Sequence, residues 1–272
     1  MTTIGWEQFT AFGVVSAALW CLGACLTLGR GRSASPQPPA PTRLQRSGSG
    51  LFAAGTLVFG AFILLFWISA GRPPMRTMGE TRLWYSLFIA ATGWVLYLRW
   101  RYRFLLPFAA LLASVFAGIN IFKPEIHDAT LMPALQSAWF IPHVAVYMLS
   151  YAVLAAALAV AVGAQFGRPQ LMEPADRLVR IGASLLILGM LMGAVWARQA
   201  WGDYWAWDAK ESWAAATWLM TLVYIHFRKR YPRRIGWAAV VLAAAFVALQ
   251  ITWYGIGWMP AAKKSLHTYT TT

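Results

Sequence analysis

Charge is scarce in this 272-residue chain: Asp, Glu, Lys and Arg make up 12% of it, and only nine of those residues are acidic. A soluble domain of this size needs far more charged cover, so that class is excluded. Cysteine is scarcer still. Cys21 and Cys25 sit at i, i+4 inside an apolar run, without the two-residue spacing of a redox or zinc pair, and read as small apolar fillers. A soluble basic face is also missing. The 23 Lys and Arg residues give a net charge of +14, but no soluble domain gathers them, so nucleic-acid binding is excluded.

What the chain has instead is apolar length. Hydrophobic residues make up 59% of it, and a helix needs roughly 20 of them in succession to cross the hydrocarbon core. Runs of about that length cover 8–29, 51–70, 83–99, 104–121, 141–164, 178–197, 212–228 and 235–254. The fold expected is all-α: a polytopic integral membrane protein of about eight transmembrane helices, one membrane domain over 1–272. Glu7 stands where a signal peptide carries its basic start, so the first run is read as a retained helix.

Orientation follows from the basic residues. Segments 30–50, 99–103, 165–180 and 228–234 hold four, three, three and five Lys or Arg, 15 of the 23, whereas seven of the nine acidic residues fall in the alternate segments. The first set is therefore expected on the cytoplasmic side, with both termini outside. Arg228-Lys-Arg-Tyr-Pro-Arg-Arg234 also suits anionic lipid. Within 30–50, Ser33-Ala-Ser-Pro-Gln-Pro-Pro-Ala-Pro-Thr42 is a Pro-rich cytoplasmic linker that cannot pack. No internal repeat is visible in the sequence.

One outer segment, 198–213, stands apart. Trp201-Gly-Asp-Tyr-Trp-Ala-Trp-Asp-Ala-Lys-Glu-Ser-Trp213 packs four tryptophans among three carboxylates. An aromatic belt explains scattered Trp, but not Trp201, Trp205, Trp207 and Trp213 interleaved with Asp203, Asp208 and Glu211. Something flat and charged is expected to bind there. On the same side lie His143, in Trp139-Phe-Ile-Pro-His, and His267, in the 255–272 tail. Neutral imidazoles are axial ligands of haem iron, and two on separate elements could clamp one porphyrin from both faces. Lys210 could meet its propionates. His226 lies near the far end of the seventh run, about 22 Å beyond Glu211 at the helical rise. An ionisable group in a spanning helix is a functional candidate, here for a second site on the opposite side. His127, among the charges of Lys123-Pro-Glu-Ile-His-Asp128, reads as solvated surface.

The Trp201–Trp213 segment resembles the tryptophan-rich WWD signature of haem-handling proteins. Its continuation through Lys210-Glu211-Ser-Trp213 to Tyr224-Ile-His-Phe-Arg228 resembles the CcsA/ResC branch, as do Gly71-Arg-Pro-Pro, Pro142-His143 and Leu266-His-Thr-Tyr269. Two positions depart: Ala209 stands where the family has Pro, and Ser265 where it has Gly. The family implies system II cytochrome c biogenesis in a bacterial inner membrane. There haem b, bound as substrate, is moved outward and attached to the Cys-x-x-Cys-His motif of an apocytochrome c by a holocytochrome c synthase (haem lyase). By that resemblance Trp201, Gly202, Tyr204, Trp205, Trp207, Asp208, Lys210, Glu211 and Trp213 form the haem-binding segment. His143 and His267 become outer iron ligands, and His226 an intramembrane one completed by a ResB/CcsB-type partner. Thiol-reducing proteins are further expected partners.

Catalysis by positioning is expected, with no acid–base residue and with Asp208 as a loop anchor through Lys210 or a backbone donor. The alternative is a haem-binding subunit of a cytochrome b-like electron-transfer complex, which would need paired histidines facing each other within the helices. A transporter of another class would need buried carboxylates near mid-membrane, and the acidic residues here all fall in loops or at helix edges.

Overall fold

Long apolar runs with no water to satisfy their backbone must bond internally, and here they do so as helices. The computed structural model describes residues 4–28, 40–127, 137–255 and 259. Among the described residues there are eight α-helices and no strand: α1 Trp6–Thr27, α2 Arg43–Ala70, α3 Met78–Trp100, α4 Leu105–Phe122, α5 Phe140–Ala164, α6 Met172–Trp201, α7 Ala209–Arg230 and α8 Ile235–Trp253. Six are long and apolar enough to cross a membrane; α3 and α7 are not among them. Both begin with charged residues, Glu80 and Arg82 in one and Lys210 and Glu211 in the other. Helix α2 starts well ahead of the apolar run at 51. Thr42 and Gln45 form a capping box, the Thr hydroxyl accepting from Gln45 N at 3.2 Å and the Gln side chain from Thr42 N at 3.1 Å. Residues 43–50 thus belong to the helix, not to the linker.

The chain clusters into two units, residues 1–130 and 131–272. In the first, α1 lies along α2 and α4, and α3 along α4 and α2. In the second, α5 lies along α6 and α8, and α7 along α8 and α6. The same four-helix order thus occurs twice, although the sequence shows no repeat.

In the first unit glycine sets the α1–α2 approach. A Cβ on Gly48 would stand 2.6 Å from the Gly23 carbonyl oxygen and 2.8 Å from Leu26. Alongside this contact the buried rings of Phe9, Trp20, Phe52, Phe59 and Phe62 interlock. At the end where α1 begins, the 71–80 connection folds around one carboxylate. Gly71 closes α2 in the left-handed region (φ +64). Arg72 then grips Glu80 with both guanidinium nitrogens, at 2.8 and 3.0 Å. Glu80, itself 2% exposed, also accepts from Arg76 N at 2.6 Å. Trp84 Nε1 donates to Pro74 O at 2.8 Å.

The structure corrects the reading of His127 as solvated surface. Its ring lies flat on Trp6, 3.6 Å between centroids and 2° between planes, and so close to Gly79 that a Cβ there would stand 2.7 Å from the imidazole. Burial pushes its pKa below the ordinary histidine value.

In the second unit α5 and α6 keep one antiparallel register along their length. Phe140 meets Trp196, and Cβ atoms built on Gly193, Gly189 and Gly182 would run into His143, Tyr147 and Leu154 in turn. Farther from that start of α5, Asp176 of α6 receives Arg228 of α7 at 2.9 Å through two guanidinium nitrogens and Tyr224 OH at 2.8 Å.

The glycine approach makes a paired prediction. Gly48→Ala should destabilise by about 1–3 kcal/mol through overpacking. Gly50→Ala, whose Cβ meets nothing within 4 Å, should be neutral or stabilising by up to about 1 kcal/mol. Thermal unfolding of the detergent-purified protein separates them; equal melting points would show that the α1–α2 approach carries no strain.

Candidate functional site

The second unit gathers His143 and the Trp-rich segment at one end. His143 lies in the first turn of α5, and its Nδ1 is 2.8 Å from the carbonyl oxygen of Gly189. A carbonyl can only accept, so Nδ1 carries the hydrogen and the neutral ring has its lone pair on Nε2. The ring stacks on Trp196 at 5.5 Å and meets Tyr147 edge-on at 4.8 Å. Trp196 is 1% exposed and sits between Phe140 (5.0 Å) and Trp201 (4.9 Å). Through it the imidazole is packed onto the start of the Trp-rich segment.

Helix α6 ends because Gly202 enters the left-handed region at φ +94, which costs a glycine little. Beyond it the segment 203–208 wraps around Glu211. Glu211 Oε2 accepts from Ala206 N at 2.8 Å and Asp208 N at 3.3 Å, while Asp208 Oδ1 accepts from Glu211 N at 2.8 Å. This is a capping box whose second carboxylate also holds the preceding turn. Asp208 therefore meets a backbone donor. Ala209 at the family's proline position leaves the helix start intact, since it occupies the first helical position, where Pro is favoured but Ala is also accepted.

The locked turn drives Trp207 into the left-handed region at φ +55, a strained conformation for a bulky residue. Trp207 is 71% exposed and Tyr204 59%. Arg198 lies over Tyr204 at 5.6 Å. Trp205 is half-buried against Trp207, with its Nε1 shielded and without a hydrogen-bond partner among the described residues. Trp213 lies half-buried in the first turns of α7. Half-buried Lys210 precedes the apolar part of α7; burial lowers its pKa to about 8, partly offset by Asp208.

The remaining expected site residues fall elsewhere. His226 is exposed on α7, its Nδ1 donating to Leu222 O at 2.8 Å. His267, with nearly all of the 255–272 tail, lies outside the described residues. Trp196, Tyr147, Gly189 and Gly193 were not expected as site residues. The signal that could have found them is Gly189-x-x-x-Gly193, a close-approach pattern inside an apolar helix.

The described residues are all-helical, and six of their helices are long and apolar enough to cross a membrane, which makes this a multi-pass membrane protein; in its second unit a carboxylate-locked aromatic turn lies beside a histidine bonded to a helix carbonyl. Its sequence matches the pattern of cytochrome c assembly proteins over residues 42–262, and the chain belongs to that family. It is similar to the cytochrome c biogenesis protein CcsA of Chlamydomonas reinhardtii, with 28% identity over 80% of this chain and 67% of that protein. It is also similar to CcsA of Solanum tuberosum, with 29% identity over 75% and 79%, and of Amborella trichopoda, with 27% over 82% and 86%. Among solved structures it shares the fold of the cytochrome c haem lyase CcmF at a TM-score of 0.63 and 20% identity. That match covers 93% of this chain but spans only 46% of the CcmF chain.

Glu211→Ala removes the acceptor of two backbone N–H groups and should cost about 1–3 kcal/mol, concentrated in the turn. Trypsin should then cleave after Lys210 faster than in the native protein. Unchanged cleavage would mean that the turn holds its shape without the carboxylate.

Proposed function

We propose that this chain handles haem b as a substrate and presents it outside the membrane for attachment to the Cys-x-x-Cys-His motif of an apocytochrome c. The observation carrying this reading is the His143 imidazole, fixed with its lone pair on Nε2 and packed through Trp196 onto the Trp-rich turn. Membership of the cytochrome c assembly family and similarity to CcsA support it.

In this reading His143 and His267 take the two faces of the iron. Tyr204, Trp205, Trp207 and Trp213 offer ring surface, with Trp201 and Gly202 shaping the segment's start. Asp208 and Glu211 hold its backbone in place. Lys210 meets a propionate. Each cysteine thiol of the apocytochrome adds across one vinyl group: a C–S bond forms and the thiol hydrogen passes to the other vinyl carbon, with no net oxidation. The chain contributes orientation and effective concentration, and its function is that of a holocytochrome c synthase component.

His226 projects from the bundle surface with Nδ1 tied to its own helix, an arrangement suited to iron ligation completed by a ResB/CcsB-type partner. We place all eight helices across a bacterial inner membrane, with both termini outside. Thiol-reducing proteins would keep the substrate cysteines available. A cytochrome b-like role is disfavoured because His143 packs near Gly189–Trp196 on α6, whereas His226 neighbours Tyr224 and Arg228, which bind Asp176. Those positions lie about 20–30 Å apart along one helix.

Co-expressed with its partner and purified, the complex should be coloured, with a low-spin haem spectrum. His143→Ala should abolish cytochrome maturation and weaken that spectrum, with added imidazole restoring part of it; His226→Ala should remove a separate haem population. A colourless folded complex under haem-replete conditions, or normal maturation by His143→Ala, would refute the reading.

The Lys210 contact adds a pH dependence. The side chain is an ammonium below about pH 8 and loses its charge above it, so affinity for an anionic propionate should fall as pH rises through that value. Lys210→Arg, charged throughout, should flatten the profile between pH 7 and 9.5. A flat native profile would remove Lys210 from the site.

A further inference from the structure

Gly189 and Gly193 lie one helical turn apart on α6, facing His143 and Tyr147, which are spaced identically on α5. A Cβ on Gly193 would stand 2.6 Å from His143 Cε1 and 2.7 Å from Nδ1; one on Gly189 would stand 2.9 Å from Tyr147. Neither ring could keep its place against any other residue. The second glycine also has a chemical effect. In an α-helix the Cβ of residue i+4 leans back toward the helix N-terminus, over the carbonyl of residue i. At 193 there is none, so the Gly189 carbonyl, already accepting within the helix, remains open on its flank. His143 Nδ1 reaches it at 2.8 Å. Trp196, three residues on, closes the seat with its ring 30° from the imidazole plane.

We propose that Gly189-x-x-x-Gly193 of α6 is a positioning device for the iron ligand. It exposes one helix carbonyl to His143, fixes the Nδ1–H tautomer before haem arrives, and so dedicates Nε2 to coordination. Gly189, Gly193 and Trp196 are positioning residues that act through the imidazole and are not themselves ligands. The proposal rests on the haem-handling reading, yet its first consequence is independent of haem.

The tautomer can be read in the full-length, haem-free protein by nitrogen NMR of labelled histidine, with His143→Asn assigning the signal. The native protein should show a protonated Nδ1 and an unprotonated Nε2. Gly193→Ala should mix the tautomers and lower haem affinity of the partner complex by roughly 10–100-fold, the usual cost of losing the group behind a metal-bound histidine. Gly182→Ala, whose Cβ would press on Leu154 at 2.6 Å in the same helix interface, should leave both unchanged. A native Nε2–H tautomer, an unaltered Gly193→Ala, or equal effects of Gly182→Ala and Gly193→Ala would each overturn the proposal. The expected tautomer alongside an undiminished haem spectrum in His143→Ala would instead overturn the haem reading and leave the seat standing.

Discussion

Helices in a bilayer gain little by hiding apolar surface from one another, because lipid tails are as apolar as leucine; what holds them together is close packing of backbones. The places where this chain gives up a side chain to gain that closeness organise both units. Gly23 and Gly48 bring α1 against α2, and Gly93 brings α3 against Ala109 of α4. Gly182, Gly189 and Gly193 bring α5 against α6 in a single register. The last three do more than pack, because the cleft they leave is filled at its open end by a polar ring. Removing side chains both assembles the bundle and lets an imidazole reach a helix carbonyl.

Carboxylates answer the complementary problem at the helix ends. Four N–H groups at each start must find acceptors, and at a membrane edge water is a poor guarantee of them. Helices α3 and α7, each the third of its unit, use the same solution: a capping box whose glutamate is buried and also accepts from the backbone ahead of the helix. Glu80 holds Arg76 N and Glu211 holds Ala206 N. Asp208 and Glu211 of the Trp-rich segment are thereby committed to its shape. This is why exposed Trp207 can be held at a positive φ: the strain of one residue is offset by the bonds around Glu211.

The helical membrane class was legible because hydropathy reports span length directly, and six of the expected runs are helices long and apolar enough to cross. The aromatic segment was legible because Trp and Asp alternation has no simple belt explanation. Other features depend on partners distant in sequence. His127 looked solvated beside Lys123 and Glu125, yet its ring partner is Trp6, at the far end of the first unit's sequence. Trp196 read as one more apolar residue of a spanning run, and only the α5–α6 register turns it into the floor beneath His143. The doubled four-helix order was hidden too, since backbone packing can repeat while the side chains that achieve it differ.

The partner chosen for His143 Nδ1 bears on how it would act in the proposed role of iron ligand. A carboxylate behind an imidazole draws its proton away and makes the coordinating nitrogen more basic, which strengthens its bond to iron. A helix carbonyl, neutral and shared with a backbone amide, fixes the ring's tautomer and orientation with less of that effect. For a protein that stores a cofactor permanently the stronger ligand would be preferable. For one that must surrender haem to the histidine of an incoming Cys-x-x-Cys-His motif, a ligand that is well placed but readily displaced is the more useful. The geometry around Gly189 is therefore better suited to the proposed delivery role than to retention.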